Sequence, residues 1–244
     1  MAFWQGTIRS QALDMDTKVN VILPYDYYDA QGKPRPVGKV LYLLHGLRQN
    51  ADAWYRYAST ERYANHRGYV IVIPEVQRSW YCDLKGGMRY FTYIAEELPR
   101  VLNRMFHLPQ GREHTLIGGL SMGGYGALKC ALRHPEQYAG VMCFSAAFYS
   151  LEPQARRLLL GLEEELKDED NIDRLIEAFP ADAQKPRLYV ACGTEDALMG
   201  SNERCRDTLR AAGFDVTWEA WGGGHDWTFW DTALSKATAL FSGR

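Results

Sequence analysis

The sequence predicts an α/β protein with a mainly parallel central sheet and helices on both faces. Short apolar runs recur that do not alternate with polar residues, as strands buried on both faces require. Segments with helical period lie between them, so strand and helix alternate, an order that builds parallel sheets through crossover connections. The chain of 244 residues is 46% hydrophobic and 24% charged, which fits one domain spanning 1–244 and excludes a disordered or collagen-like chain.

In chain order, residues 7–13 and 18–23 flank the polar stretch D-M-D and are predicted to form an antiparallel pair on one sheet edge. Residues 40–44 (V-L-Y-L-L), 69–73 (Y-V-I-V-I), 115–117, 141–144 and 188–192 (L-Y-V-A-C) are the predicted buried strands, and 216–221 is the predicted last strand. Phe91, Ile94, Leu98, Val101, Leu102 and Met105 form one helical stripe, which Pro99 is expected to kink or split. Further helices are predicted over 124–133 and after His225. Residues 146–186 hold no strand but two helical patterns, Leu158, Leu159, Leu162 and Leu166, then Ile172, Leu175, Ile176 and Phe179. This stretch reads as a small cap-like helical insertion or as a long crossover lying on the sheet. Its acidic run G-L-E-E-E-L-K-D-E-D reads as a solvated helix face without a binding role.

Lys and Arg total 28 against 30 for Asp and Glu, so no general attraction to nucleic acid or an anionic membrane is expected. The five cysteines, Cys82, Cys130, Cys143, Cys192 and Cys205, are odd in number and include no C-x-x-C pair. They are expected to be reduced thiols in a cytoplasmic protein. The first ten residues lack the pattern of an export signal, and no apolar run is long enough to span a bilayer. No H-E-x-x-H, P-loop or G-x-G-x-x-G motif is present, so neither a metal nor a cofactor is expected.

The strongest chemical signal is Gly119-Leu120-Ser121-Met122-Gly123, placed after one predicted strand and before a predicted helix. A nucleophilic serine needs that sharp turn, where only glycine fits beside it, to hold its hydroxyl clear of the sheet. The hydroxyl also needs a base, and the base an orienting acid. His225 follows three glycines after the last predicted strand, at the carboxyl side of the sheet where ligands bind in open α/β folds. His66, His107, His114 and His134 lie near helix ends or connections, and His45 reads as a loop-shaping residue. Asp196, in the loop after 188–192, is the expected acid, with Glu195 and Asp226 as rivals. The order Ser121, Asp196, His225 is the chain order of α/β-hydrolases. Met122 and Leu47, the latter in His45-Gly46-Leu47 after 40–44, are the expected backbone donors to an oxyanion. Trp80, Tyr81, Phe148 and Trp227 are candidates for the substrate pocket, while Trp230 reads as an anchor for the last helix.

L-L-H-G-L-R-Q-N, S-W-Y-C-D, E-E-L-P-R-V-L, G-G-L-S-M-G-G-Y-G-A-L, G-T-E-D and G-G-G-H-D-W-T-F-W together resemble the esterase D-like α/β-hydrolases. The likeness runs from about Thr7 to Phe241 and is greatest to the bacterial tributyrin esterases, with feruloyl and acetyl-xylan esterases as neighbours. It implies Ser121, Asp196 and His225 as a triad, with Leu47 and Met122 as oxyanion donors. Where S-formylglutathione hydrolases carry H-S-M-G-G-H-G, this chain carries L-S-M-G-G-Y-G. The expectation is therefore a serine carboxylesterase acting on short-chain esters of small molecules, with feruloyl, acetyl-sugar or formylglutathione substrates as alternatives. A non-catalytic binding protein and an acyltransferase are the rivals from other classes. The sequence is compatible with a homo-oligomer.

Overall fold

The computed structural model describes residues 2–24, 32–33, 37–84, 87–150 and 168–242. They form one eight-stranded sheet: β1 (Ala2–Ser10), β2 (Met15–Leu23), β3 (Lys39–Leu44), β4 (Tyr69–Pro74), β5 (Thr115–Leu120), β6 (Gly140–Phe144), β7 (Arg187–Gly193) and β8 (Val216–Trp221), in the spatial order β1-β2-β4-β3-β5-β6-β7-β8. β2 runs antiparallel to both β1 and β4, and every other pairing is parallel. The expected edge pair is present, but β1 begins earlier and ends at Ser10, opposite Met15. The turn is therefore residues 11–14, with Asp14 at φ 49°, and Leu13 is buried beyond the strand.

The central strands alternate sides in the way a two-faced core requires. Val40, Tyr42 and Leu44 of β3 join one apolar cluster, whereas Leu41 and Leu43 join the other. The first cluster takes in α4 (Leu98–Phe106), α5 (Met122–Arg133), α6 (Ile172–Glu177) and α7 (Met199–Ala211), which follow α1 (Ala53–Tyr57), α2 (Thr60–Arg67) and the single turn α3 (Tyr90–Thr92). The second cluster takes in α1, α2 and α8 (Trp227–Phe241).

The predicted stripe from Phe91 to Met105 is indeed interrupted. Tyr93–Glu97 widens into a π-helical stretch, and α4 restarts with Pro99 in its first turn, where a missing N–H costs nothing. Within that stretch Glu97 turns back on the β1–β2 turn and accepts bonds from the Ser10 hydroxyl (2.6 Å) and the N–H groups of Gln11 (2.7 Å) and Ala12 (3.1 Å). Burial opposes its charge, but these donors outweigh burial and hold the carboxyl below its ordinary value. A depressed folded pKa means that the stabilisation is complete above the unfolded value of 4.5 and disappears as pH falls through the folded one. Glu97→Gln is expected to cost about 2 kcal/mol at neutral pH. In urea melts, that difference should shrink in acid.

The first helical pattern of the insertion, Leu158, Leu159, Leu162 and Leu166, lies outside the described residues, as does most of the acidic run. The second is α6, with Ile172 and Ile176 buried. One residue of the acidic run departs from the solvated reading. Asp170 is buried and pairs with Lys129 of α5, whose side chain is fully enclosed and also donates to the Tyr81 carbonyl (2.8 Å). An enclosed ammonium needs such a counter-charge.

Candidate active site

Four connections that follow strands meet at the carboxyl end of the parallel sheet. The connection from β3 leads to β4 on one side and that from β5 leads to β6 on the other, so a crevice opens between the ends of the neighbouring strands β3 and β5. Residues 46–49 after β3, Leu120 at the end of β5 with Ser121 after it, and His225, Asp226, Trp227 and Trp230 after β8 line a cleft of about 600 Å³ there. Another hollow, of about 390 Å³, opens at the amino ends of β3 and β5 and contains none of the predicted site residues.

Ser121 sits between β5 and α5 with φ 53° and ψ −118°, backbone geometry that L residues adopt only when the surroundings enforce it. The surroundings here are close. A Cβ at Gly123 would lie 2.4 Å from the Leu44 carbonyl oxygen, and one at Gly119 would lie 2.6 Å from the Gly123 backbone. Both glycines are thus required for α5 to start against the end of β3. The Ser121 N–H donates to Phe144 O (2.9 Å), and its carbonyl accepts from Gly124 and Ala147 (3.1 and 3.0 Å).

The loop after β3 is held by its carbonyls. Trp54 Nε1 donates to Leu44 O (2.9 Å), Tyr81 Oη to His45 O (2.8 Å), and His45 Nδ1 to Gly46 O (2.9 Å). His45 is fully buried; its Nε2 accepts the Val76 N–H (3.2 Å) and lies 3.4 Å from Glu75 Oε1, contacts that shape the loop. The Gly46 N–H is taken by Gln49 Oε1 (2.9 Å). The Leu47 N–H has no partner among the described residues, and Met122, as the first residue of α5, has no carbonyl behind it within the helix to bond. Gln49, which sequence reasoning missed, stands four residues beyond His45 and closes this turn.

At the other wall, His225 Nδ1 donates to Asp196 Oδ2 (2.8 Å), with the imidazole 39% exposed and the carboxylate side chain 1% exposed. Nε2 is thereby left as the acceptor. Asp196 Oδ1 accepts the Leu198 N–H (2.9 Å). Burial pushes the Asp196 carboxyl up, but the bonds from His225 and Leu198 prevail and hold it below the ordinary carboxylate value. The rival acids are engaged elsewhere. Glu195 accepts from the Gly223 N–H and the Thr194 hydroxyl, and Asp226 caps α8 through the N–H groups of Thr228 (2.9 Å) and Phe229 (3.1 Å).

The aromatic expectations divide. Trp227 lines the cleft and packs edge-on against Trp54 (5.1 Å) and Trp230 (5.3 Å). Trp230 both anchors α8 and lines the cleft, its ring edge-on to His225 at 4.9 Å. Trp80, Tyr81 and Phe148 do not line this cleft; all three belong to the buried core. Tyr81 is the clearest correction. Its ring lies under α5, where a Cβ on Gly126 would strike it, and its hydroxyl holds the His45 carbonyl. Trp80 and Tyr81 both have positive φ, 52° and 53°, a local turn that directs them inward and that no sequence pattern announces.

The family model described as "Putative esterase" matches residues 10–241. The chain belongs to this esterase family. It is 30% identical to an acetyl esterase of Caldicellulosiruptor saccharolyticus, over 97% of each protein. Among solved structures it resembles the substrate-bound fluorophosphonate-binding serine hydrolase F of Staphylococcus aureus, with a TM-score of 0.88 and 30% identity over 100% of this chain and 99% of that one. It also resembles S-formylglutathione hydrolase of the same organism, with a TM-score of 0.87 and 30% identity over 99% of each chain. The fold is the α/β-hydrolase fold, and the protein is a carboxylic ester hydrolase. No helix among the described residues is long and apolar enough to cross a membrane.

Proposed function

We propose that this esterase hydrolyses short-chain carboxylic esters through an acyl-enzyme on Ser121. The observation that carries the reading is the His225–Asp196 pair, 2.8 Å apart, facing the cleft that also holds the strained Ser121 turn. His225 Nε2 takes the Ser121 proton as the oxygen attacks the acyl carbon, and returns it to the departing alkoxide. Asp196 fixes the imidazole tautomer and offsets the charge that forms. The N–H groups of Leu47 and Met122 receive the developing oxyanion, each worth about 3 kcal/mol by analogy with donor deletions elsewhere. Water then repeats the sequence on the acyl-enzyme. A single domain of 1–244, with 146–186 as an insertion, performs this chemistry, and the five buried free thiols suit a reducing cytoplasm.

Support for a short acyl group comes from the acetyl esterase relative and from the Leu120 and Trp230 side chains bordering the cleft beside Ser121 and His225. Each methylene entering an open apolar groove adds about 0.8 kcal/mol of binding, whereas a filled pocket reverses the trend. The test is a series of p-nitrophenyl esters from acetyl to dodecanoyl, run beside methyl ferulate, an acetylated sugar and S-formylglutathione. The expected result is a kcat/KM that peaks between acetyl and butyryl. A continuous rise to octanoyl and beyond would contradict it, and a larger kcat/KM for the thioester would move the assignment to that substrate. Added alcohol, with product analysis, separates hydrolysis from acyl transfer.

A further inference from the structure

Asn202, in the first turn of α7, belongs to neither wall of the cleft and is fully buried. Its amide pairs with Ala146 as a neighbouring strand would: Oδ1 accepts the Ala146 N–H (3.0 Å) and Nδ2 donates to the Ala146 carbonyl (2.8 Å). Nδ2 also donates to the Leu198 carbonyl (2.9 Å). Both contacts lie one step from the chemistry. The residue after Ala146 donates its N–H to the Ser121 carbonyl (3.0 Å), and the N–H of Leu198 is the second donor to the Asp196 carboxylate (2.9 Å).

The need for such a bridge follows from the sheet. β6 and β7 stay paired as far as Phe144 and Ala191, and one more bond, Ser145 N–H to Ala191 O (2.8 Å), closes the ladder. Ser145 then turns the chain away with φ 44°. Beyond it, the elbow-supporting loop and the acid loop share no further ladder bond. An asparagine amide supplies the donor and acceptor that a continued strand would have offered. Left open, these buried backbone groups would be costly and the two loops free to shift.

We propose that Asn202 is a positioning residue that sets the acid loop in register with the nucleophile elbow, so that Asp196 and Ser121 keep a fixed separation across which His225 works. This rests on the triad reading above. A displacement of about 1 Å in such a constellation is enough to lose on the order of 10²-fold in rate.

The experiment compares Asn202→Ala and Asn202→Ser with the parent enzyme on p-nitrophenyl acetate. Rates are expressed per active site titrated with a fluorophosphonate and measured across pH, beside thermal melts. The expected result for Asn202→Ala is a kcat lower by on the order of 10²-fold with KM changed less than about threefold. The acid limb of kcat/KM should move to lower pH, because a carboxylate held less closely gives less support to a positive charge on the group it faces. Glu195, Asp226 and the cleft residue Arg48 keep their charges in both variants, so the movement of the limb reports on the Asp196–His225 contact. Asn202→Ser retains a hydroxyl for the Ala146 N–H and should recover part of kcat; it also serves as the measured variant if the alanine form does not fold. A lower melting temperature with kcat per titrated site and the acid limb both at parent values would overturn the proposal. Parent-level turnover in Ser121→Ala would instead overturn the triad reading, whatever the Asn202 variants do.

Discussion

Ser121→Ala should lower turnover of p-nitrophenyl acetate by on the order of 10⁶-fold, the size of loss seen when a serine hydrolase loses its nucleophile. The residual rate is the part that oxyanion donors and substrate binding supply without a covalent intermediate. Stability should barely change, within about 0.5 kcal/mol, because the hydroxyl faces the cleft and the turn is held by backbone bonds from Ser121 to Phe144, Gly124 and Ala147. Equal rates for the variant and the parent protein would remove Ser121 from the mechanism.

Asp196→Asn should cost on the order of 10⁴-fold in kcat, with the fold intact. An asparagine facing Nδ1 with its amide nitrogen favours the opposite imidazole tautomer, which points a proton at Ser121 in place of a lone pair. Asp226→Asn and Glu195→Gln should lose far less, since Asp226 caps α8, a task asparagine performs equally well, and Glu195 holds the Gly223 N–H. The larger loss in either of these would transfer the acid role. For Asp196 itself the sign of the pH effect is set by its depressed carboxyl pKa. The negative partner of the imidazole persists above the ordinary value of 3.8 and is lost only as pH falls through the lower folded value. Loss of activity at mildly acidic pH therefore does not come from protonation of Asp196.

The parts of this molecule most legible in its sequence were those whose environment is symmetrical. β3 through β7 are covered on both faces, so each shows mainly as an apolar run, and the functional side chains follow from where those runs stop, whereas the edge strand β8 carries Thr217 and Glu219 and is only partly buried. β1 is an edge strand with one open face, and its apolar signal is too diluted by exposed residues to mark its start. The interruption before Pro99 was readable because proline lacks an N–H; that five residues would widen into a π stretch was not. Two errors share another cause, dependence on a distant partner. Asp170 looks solvated in a run of acids until Lys129, forty-one positions away, is brought beneath it. Tyr81 looks like a pocket wall until its positive φ turns it under the His45 carbonyl. Trp230 is the anchor its position suggests, and it borders the cleft as well.

The most direct measurement is covalent labelling of the whole protein with a fluorophosphonate, followed by intact mass and peptide mapping. A nucleophile activated by His225 and Asp196 predicts one adduct per chain, carried by the peptide that contains Ser121. The adduct should form more slowly in Asp196→Asn, be suppressed by excess short-chain ester, and be absent from Ser121→Ala. Ester hydrolysis by a protein that takes no adduct, or takes it on another residue, would contradict the account.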